Sequence, residues 1–531
     1  MKIAMKHMNR VCGLWLASVL AATVAFGQSQ LPELVKTNGH YTLMVDGKPF
    51  MMLGGQCGNS SNWPAALPNV WQTMEEMHAN TLEIPIYWEE IEPVRGHYDF
   101  TSVQRLLDQA RQHDIRLVLL WFATWKNGSN HYMPEWMKLD SKKYYNVVGQ
   151  GGKLIDSPSP HAAEAMELDA KAFREVMQYL KDNDPQHTVI MVQVQNEPGT
   201  WDSVRDYSRE AEKLFRQPVP EALLKNKAAM QELGAAAWEG TWSEVFGPRA
   251  DEYFHAWHVA SYIEHVAAAG KAVNPLPLYT NAALRNPLTN PMANEYESGG
   301  PTDNVICIYK VAAPSLDLVA PDIYLRGDAQ YMGVVNLYTR ADNALMVPET
   351  SGGNVKYLYE VLKRGIGFAP FGVDGNRERN QALSAEYRLL NPIAGQLAQW
   401  GIEGRIYTAY EPDEGEKEQA LDLGGWEARL QFGASRSNAP LSGAGKAMVV
   451  KLAEGDFLCM GTEVRFTFLP LGRNQGRAWH YLRVEEGSYN DAGEWVMTRV
   501  LNGDQTDWGG PYIGATPSML RIRVYAREPR Q

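Results

Sequence analysis

Cysteine is scarce in this chain, and positive charge is in the minority. Four cysteines occur in 531 residues, at spacings that match neither a disulfide framework nor a zinc-binding pattern. The 50 lysines and arginines are outnumbered by 62 aspartates and glutamates. A nucleic-acid partner would call for a basic stripe, and none is present. We therefore expect no metal, no cofactor and no nucleic acid to be required.

Long apolar runs are also missing, apart from a short one near the N-terminus. Lys2, Lys6 and Arg10 lead into an apolar segment from Val11 to Ala25, and Ala25-Phe26-Gly27 has the form of a cleavage site. The segment is too short and wrongly flanked for a stable membrane span. Residues 1–27 are predicted to be a signal peptide, so we expect a periplasmic or secreted protein that does not contact the membrane after cleavage.

The length exceeds what one hydrophobic core usually supports, which predicts at least two domains. From about residue 31 to residue 404, strand-like and helix-like segments alternate in eight units, whereas after Gly404 strand-like runs are separated by turns. This pattern predicts a (β/α)₈ barrel at 28–404 followed by a smaller antiparallel β-sandwich at 405–531. An open doubly wound sheet would need a glycine-rich phosphate turn after strand one, which Gly54 to Gly58 does not match.

The predicted barrel begins with a hairpin from His40 to Met52 that turns at Asp46-Gly47. Its second arm continues as strand one and ends at Gln56. The other seven strands are predicted at residues 81–87, 116–122, 188–194, 276–280, 318–324, 344–347 and 367–371. An insertion at 201–250 separates strand four from its helix, and we interpret it either as a loop that shapes substrate access or as a helical embellishment.

Two glutamates carry the strongest functional signal. Glu197 closes the run TVIMVQVQNE and Glu349 closes ALMVPE, and turn-forming residues follow each of them. A buried parallel strand of this kind delivers its last side chain to the carboxyl edge of the sheet. Two carboxylates that face one pocket can hydrolyse a glycosidic bond, one as acid/base and the other as nucleophile. Asn-Glu-Pro alone is also a natural turn, so the signal depends on both glutamates together.

These motifs resemble the clan of retaining glycosidases built on (β/α)₈ barrels, and within it glycoside hydrolase family 35, the β-galactosidases. The resemblance covers nearly the whole chain after residue 27, including the strand-rich C-terminal part. One departure is Asn196-Glu197-Pro198-Gly199, where many members have Asn-Glu-Tyr-Gly, because Asn-Glu-Pro also occurs in glucanase and mannanase relatives. The matching segments are Gly54-Gly55 with Asn59-Ser60-Ser61, NTLEIPIYWEEIEPVRGHYDF at 80–100, LLWFATWKNG at 119–128, QNEPG at 195–199 and PETSGG at 348–353.

The resemblance implies roles for individual residues. Glu197 would protonate the leaving oxygen and then activate water, while Glu349 would attack the anomeric carbon. Asn196 would hydrogen-bond the sugar 2-hydroxyl. Tyr324, at the end of strand six, is expected to hydrogen-bond the nucleophile, with an ordinary rim aromatic as the alternative.

Further substrate contacts are predicted at the ends of other strands. Tyr87 and Asn281, which end strands two and five, are expected to bind sugar hydroxyls. Trp125 and Trp121 could form a stacking wall, although core packing explains Trp121 equally well.

The sequence thus predicts an exported retaining β-galactosidase that removes terminal β-D-galactosyl residues from oligo- or polysaccharides, such as xyloglucan side chains, by double displacement. The alternatives are another retaining exo-β-glycosidase of the clan, namely a glucosidase, mannosidase or arabinosidase, or a non-catalytic sugar-binding protein. A carbohydrate is the expected partner, and a homodimer is left open.

Overall fold

The computed structural model describes residues 30–433 and 442–527. The predicted signal peptide at 1–27 lies outside the described residues. Within the described ranges, no helix combines the length and the hydropathy that crossing a membrane requires.

Eight parallel strands form a barrel, which confirms the predicted fold class. Strand seven consists of two pieces because Pro348, which has no N–H to donate, interrupts it. The first piece pairs with strand eight and the second with strand six, so the strands form a closed circle. In order, the strands are Met52–Gln56, Thr81–Tyr87, Arg116–Lys126, Val189–Asn196, Leu278–Ala283, Leu318–Ile323, Leu345–Val347 with Glu349–Thr350, and Gly365–Phe368.

The predicted strands lie where expected, with some ends displaced by prolines. Strand two is Thr81–Tyr87, as predicted. Strand five begins at Leu278 rather than at Leu276, because Pro277 cannot donate to the ladder. Strand three continues to Lys126, beyond its predicted end, and thereby brings Lys126 to the rim of the barrel.

A hairpin closes the N-terminal end of the barrel. Strands Glu33–Thr37, His40–Val45 and Lys48–Phe50 form a small antiparallel sheet. Val45 pairs with Lys48 across Asp46 and Gly47, whose φ angles of 52° and 71° are the positive values that a tight hairpin turn needs. Leu43 and Val45 belong to the same apolar cluster as the barrel interior, so the hairpin seals that interior from below.

Helices cover the outside of the barrel and bury one face each. Val103, Leu106, Leu107 and Ala110 form the buried stripe predicted for the helix Thr101–Gln112. The α-helices of this region are Leu67–Glu76, Trp88–Ile91, Thr101–Gln112, Glu135–Lys138, Ala163–Asn183, Arg209–Phe215, Glu221–Lys225, Lys227–Glu232, Trp242–Phe246, Ala250–Lys271, Ile306–Ala312, Asp328–Tyr338, Leu358–Arg364, Gln381–Leu390 and Ala394–Ile402. Short 3₁₀ helices are Gln150–Gly152, Gly247–Arg249, Gly352–Tyr357, Arg377–Asn380 and Asn391–Ile393.

The insertion at 201–250 contains four short α-helices, which pack with the helices Ala250–Lys271 and Ile306–Ala312 around a separate apolar cluster. Trp242 is buried in that cluster, whereas Trp201 and Trp238 are exposed. A further two-stranded sheet, Asn146–Val148 with Leu154–Pro158, lies nearby: the backbone carbonyl of Val148 accepts a hydrogen bond from Tyr207 of the insertion.

The C-terminal region consists of two antiparallel sheets, of six and four strands. Met448, Val450, Leu458, Met460 and Met519 join the apolar cluster around the barrel and so attach the region to it. The last helix of the barrel ends at Ile402, and the first strand of this region begins at Ile406. The six strands are Ile406–Tyr410, Lys446–Ala453, Asp456–Thr462, Ser518–Ala526, Trp479–Tyr489 and Trp495–Leu501, and the four are Glu418–Asp422, Trp426–Phe432, Val464–Pro470 and Tyr512–Ile513, with short helices Gly472–Asn474 and Asp504–Asp507.

Candidate active site

Three acidic side chains converge at the carboxyl ends of the barrel strands. Glu197 follows strand four, Asp322 lies in strand six and Glu349 begins the second piece of strand seven. One carboxyl oxygen of each lies within 4.8 Å of those of the other two. The structure therefore brings the two predicted glutamates together and adds Asp322, which the sequence analysis did not single out.

The backbone around Glu197 is strained into position. Gln195 and Glu197 have φ angles of 64° and 43°, in the left-handed region that non-glycine residues rarely adopt. Hydrogen bonds hold this conformation: the Gly128 N–H donates to the Glu197 carbonyl at 2.9 Å, and the side-chain oxygen of Asn281 accepts from the Glu197 N–H at 2.8 Å. Such strain costs about 1–3 kcal/mol per residue and is concentrated at functional sites.

Glu349 accepts a hydrogen bond on each of its carboxyl oxygens. Tyr324 donates to Oε1 at 2.7 Å, and Gln56 donates to Oε2 at 2.9 Å. Burial, followed by the negative charge of Glu349, raises the pKa of Tyr324, so its hydroxyl keeps its proton and remains a donor. These two donors fix the orientation of the Glu349 carboxylate and stabilise its negative charge.

Glu197 lies in a different environment. Burial and then the charge of Glu349 raise its pKa to about 7, against the opposing effects of Lys126 and of a hydrogen bond with Asp322. Near neutral pH this carboxyl group can therefore both give and take a proton, as a general acid and base must.

Asn281 connects the parts of the site. Its oxygen accepts from the Glu197 backbone, and its Nδ2 donates to Oδ2 of Asp322 at 2.5 Å. Asn281 therefore makes positioning contacts through its oxygen and one hydrogen of its amide nitrogen, and the sugar contact at this residue stays a prediction.

The other predicted substrate contacts differ in whether the protein already uses their polar atoms or ring faces. Both amide atoms of Asn196 are buried and without a hydrogen-bond partner, which leaves them unused by the protein. The hydroxyl of Tyr87 donates to the Asn59 carbonyl at 2.8 Å and accepts from the Asn62 N–H at 3.3 Å, so it holds the loop after strand one. Trp125 is fully buried and packs edge-on against Tyr262 in the core. Its ring has no open face on which a sugar could stack.

A second buried acid lies behind Glu197. Glu297 is 1% exposed, and neither of its carboxyl oxygens has a partner. Burial and then the charge of Glu197 raise its pKa well above the usual range, which favours the protonated form. A Cβ at Gly128 would lie 2.0 Å from the Glu297 Oε1, so glycine is needed there for Glu297 to fit against the loop after strand three.

Sequence reasoning missed Gln56, Asp322, Glu297 and Lys126. Gln56 ends strand one, and Asp322 precedes Tyr324 by two positions, so the sequence contained a signal for both as polar residues at strand ends. Glu297 lies in a loop outside the strand pattern, and only the fold brings it next to Glu197.

A large cleft runs outward from this site. It has a volume of about 1310 Å³ and is bounded by barrel loops on one side and by the C-terminal region on the other. Arg326 and Arg379 line it as exposed side chains, and neither forms an ion pair within the described residues. The C-terminal side contributes Ser442, Ala444, Lys446, Thr462, Glu463, Ala515, Thr516 and Pro517.

Among residues 30–433 and 442–527, one set of acidic, histidine or cysteine side chains approaches closely enough to share a cation. This set consists of the same three carboxyl groups. Hard cations such as Ca²⁺ and Mg²⁺ need six or more oxygen ligands, including neutral ones. Here Tyr324, Gln56 and Asn281 already donate to the carboxyl oxygens. These three carboxyl groups are therefore better suited to sharing protons than to binding a metal ion.

Comparison with known proteins points to glycosidases. Residues 57–256 match the model of glycoside hydrolase family 42, described as Beta-galactosidase, and residues 383–511 match a domain of unknown function, DUF5597. A β-galactosidase of Xanthomonas manihotis is 26% identical over 179 residues, which are 32% of this chain and 27% of that protein. The expected assignment to family 35 is not supported by these matches.

Solved structures with a similar barrel are distant in sequence. The β-galactosidase of Bacillus circulans sp. alkalophilus is 15% identical, with a TM-score of 0.47 over 65% of this chain and 57% of that one. The β-galactosidase of Marinomonas ef1 is 11% identical, with a TM-score of 0.49 over 66% and 61%. The chain therefore spans about a quarter of its curated relative and about three fifths of these structures.

Proposed function

We propose that this chain is an exported retaining β-galactosidase in which Glu349 is the nucleophile and Glu197 the acid/base. The observation that carries the proposal is the spacing of the two carboxyl groups, whose oxygens approach within 4.8 Å. Retaining glycosidases have carboxyl groups about 5–5.5 Å apart, whereas inverting enzymes need about 6.5–9.5 Å to admit a water molecule. This close approach of the nearest oxygens supports direct attack by a carboxylate rather than attack through an intervening water.

In the first step, a Glu349 oxygen attacks the anomeric carbon while Glu197 gives its proton to the glycosidic oxygen. The bond between the anomeric carbon and that oxygen breaks, and a glycosyl-enzyme ester forms. Tyr324 and Gln56 orient the attacking carboxylate, which removes much of the entropic cost of alignment.

In the second step, the ionised Glu197 takes a proton from water, whose oxygen attacks the anomeric carbon and releases Glu349. Glu197 ends the cycle protonated, as it began. A group with a pKa of about 7 serves both steps near neutral pH, because neither of its forms is strongly disfavoured.

Galactose as the sugar is supported by the family model over residues 57–256 and by the name of the curated relative. The cleft between the barrel and the C-terminal region supports a leaving group larger than one sugar, such as an oligosaccharide or a polymer side chain. The amide of Asn196, whose two polar atoms have no partner in the protein, supports a contact with the 2-hydroxyl of the sugar.

A panel of nitrophenyl glycosides tests the activity and the sugar together. We expect the β-galactoside to be hydrolysed with a higher kcat/KM than the β-glucoside, β-mannoside and α-arabinoside. Preference for another sugar of the panel would keep the mechanism and replace the substrate. Binding of galactose without turnover of any glycoside would contradict the proposal and favour a sugar-binding protein.

Export is tested separately by expressing the full chain in a Gram-negative host and sequencing the N-terminus of the periplasmic product. We expect it to begin at Gln28. Recovery of the uncleaved chain in the cytoplasm would contradict this part of the proposal.

A further inference from the structure

Asp322 has no part in the mechanism above, although it lies inside the site. It occupies strand six, directly across the strand pairing from Glu349. Its side chain is 2% exposed, and its carboxyl group lies within 4.8 Å of both glutamates. A buried carboxyl group this close to both glutamates interacts with each of them electrostatically.

The hydrogen bonds of Asp322 are incomplete for a carboxylate. Its Oδ2 accepts from Asn281, while its Oδ1 is completely covered and receives no donor from the described residues. A covered carboxylate oxygen without a donor is strongly disfavoured. If the group is protonated, it becomes a donor, and the neighbouring Glu197 carboxyl group is an acceptor within reach.

The surrounding charges also favour the protonated form of Asp322. The charged groups that face Asp322 are Glu349, Glu197 and Lys126, so two negative groups oppose one positive group. The hydroxyls of Tyr279, Tyr324 and Tyr338 are also near and are neutral. Burial, followed by the charges of Glu349 and Glu197, raises the pKa of Asp322 well above its usual range.

We propose that Asp322 keeps its proton through the catalytic cycle and donates a hydrogen bond to one oxygen of Glu197. The other oxygen of Glu197 is then left to exchange its proton with the leaving group and with water. Asp322 is a positioning residue in this scheme, and the scheme rests on the proposed function of Glu197.

Two consequences follow for the acid/base. The donor fixes the rotation of the Glu197 carboxyl group, together with Asn281, which holds both Asp322 and the Glu197 backbone. It also stabilises the ionised form of Glu197 and so offsets part of the rise in its pKa that burial and Glu349 cause. The base needed in the second step is therefore available near neutral pH.

Asp322→Asn and Asp322→Ala separate this proposal from a purely structural role. Asparagine reproduces the protonated pattern, because its amide can donate to Glu197 while its oxygen accepts from Asn281. Alanine removes both contacts. We expect Asp322→Ala to lower kcat/KM by about 10- to 100-fold, the loss typical of a buried hydrogen bond, and Asp322→Asn to recover most of that loss.

The direction in which the pH profile of kcat/KM moves shows whether Asp322 is protonated or ionised. Without the donor, the ionised form of Glu197 is less stable, so the falling limb of Asp322→Ala should move to higher pH, while that of Asp322→Asn stays near the wild-type position. If Asp322 were ionised, both substitutions would remove a negative charge and move the limb to lower pH, which would overturn the proposal. Asp184→Asn, a buried aspartate beside Arg111 at the far end of the barrel, controls for a general loss of stability.

Infrared spectroscopy of enzyme labelled with ¹³C-aspartate tests whether Asp322 is protonated, independently of catalytic activity. At mildly alkaline pH, Asp169 is ionised, since burial raises its pKa only to about 6. We expect a protonated carboxyl band in the wild type that Asp322→Asn abolishes. Absence of the band in the wild type would contradict the proposal even if galactosides are hydrolysed, whereas its presence in a protein that hydrolyses no glycoside would count against the proposed function alone.

Discussion

The two glutamates are of the same chemical type and lie in one site, but their surroundings differ. Glu349 receives hydrogen bonds from two neutral side chains, Tyr324 and Gln56, one on each oxygen. Glu197 receives none from a neutral amide or hydroxyl among the described residues and faces the carboxyl groups of Asp322, Glu349 and Glu297. Burial and the charge of Glu349 favour the protonated form of Glu197, whereas the two donors fix the orientation of the Glu349 carboxyl group.

Under the proposed function, the division into nucleophile and acid/base arises from the neighbouring residues rather than from the glutamates themselves. The strands deliver both side chains to the same rim, and the residues beside each glutamate then set its hydrogen bonds and its charged neighbours. Substitutions that remove these differences one at a time should therefore affect catalysis to different extents.

The largest effect is expected when the nucleophile is removed. Glu349→Gln keeps the shape of the side chain, but the amide cannot form a stable glycosyl ester, so kcat/KM should fall by about 10⁴-fold or more. Steady-state hydrolysis of nitrophenyl β-galactoside measures this loss. Glu378→Gln, at an exposed glutamate of the 3₁₀ helix Arg377–Asn380, is the matched control. A Glu349→Gln variant with a tenth or more of normal activity would remove this residue from the mechanism.

A smaller loss of activity is expected when Glu349 is kept and one of its two hydrogen-bond donors is removed. Tyr324→Phe deletes the hydrogen bond to Oε1 of Glu349, which should lower kcat by about 10- to 100-fold, as for a bond to a charged group. Tyr525→Phe, at an exposed tyrosine of the C-terminal region, serves as the control. Equal activity of the two variants would mean that Tyr324 does not orient the nucleophile.

The pKa of Glu197 determines the pH dependence expected for kcat/KM. Glycosylation needs protonated Glu197, whose pKa is about 7, so kcat/KM should fall about tenfold per unit as the pH rises above that value. Glu197→Gln should lose this falling limb together with most of its activity. A falling limb that persists at the same pH in Glu197→Gln would assign it to another group.

The smallest effect concerns the cleft at the C-terminal region. Arg379→Ala should raise KM for a galactosylated oligosaccharide by about two- to fivefold, the loss of one exposed polar contact, and leave kcat/KM for the nitrophenyl galactoside unchanged. Arg388→Ala, an exposed arginine of the following helix, is the control. Equal KM values for the oligosaccharide would show that the leaving group does not reach this side of the cleft.

Much of the fold could be predicted because its determinants are local. The alternation of short apolar runs with amphipathic stripes indicated the eight strands, and Asp46-Gly47 indicated the N-terminal hairpin. Strand five begins late beside Pro277 and strand seven is interrupted at Pro348, where a missing N–H shifts or interrupts the pairing. Strand three continues to Lys126, an extension that no proline explains.

The candidate site was predictable only where it coincides with strand ends. Glu197 and Glu349 could be identified because each ends an apolar run, and Tyr324 because it follows strand six. Glu297 could not, since its loop meets Glu197 only after the chain has folded. Trp125 was assigned to the sugar because a tryptophan at a rim and one in the core have the same sequence pattern, and burial distinguishes them only in three dimensions.

The most direct test of the two roles is the stereochemistry of azide rescue. Glu197→Ala should still form the glycosyl-enzyme from an activated aryl β-galactoside, and azide, which needs no general base, should restore turnover and give the β-galactosyl azide. Azide acting on Glu349→Ala should instead replace the missing nucleophile and give the α-azide. NMR of the products distinguishes the two anomers. The α-azide from Glu197→Ala together with the β-azide from Glu349→Ala would mean that the roles are reversed, and unchanged hydrolysis by both variants would contradict the account altogether.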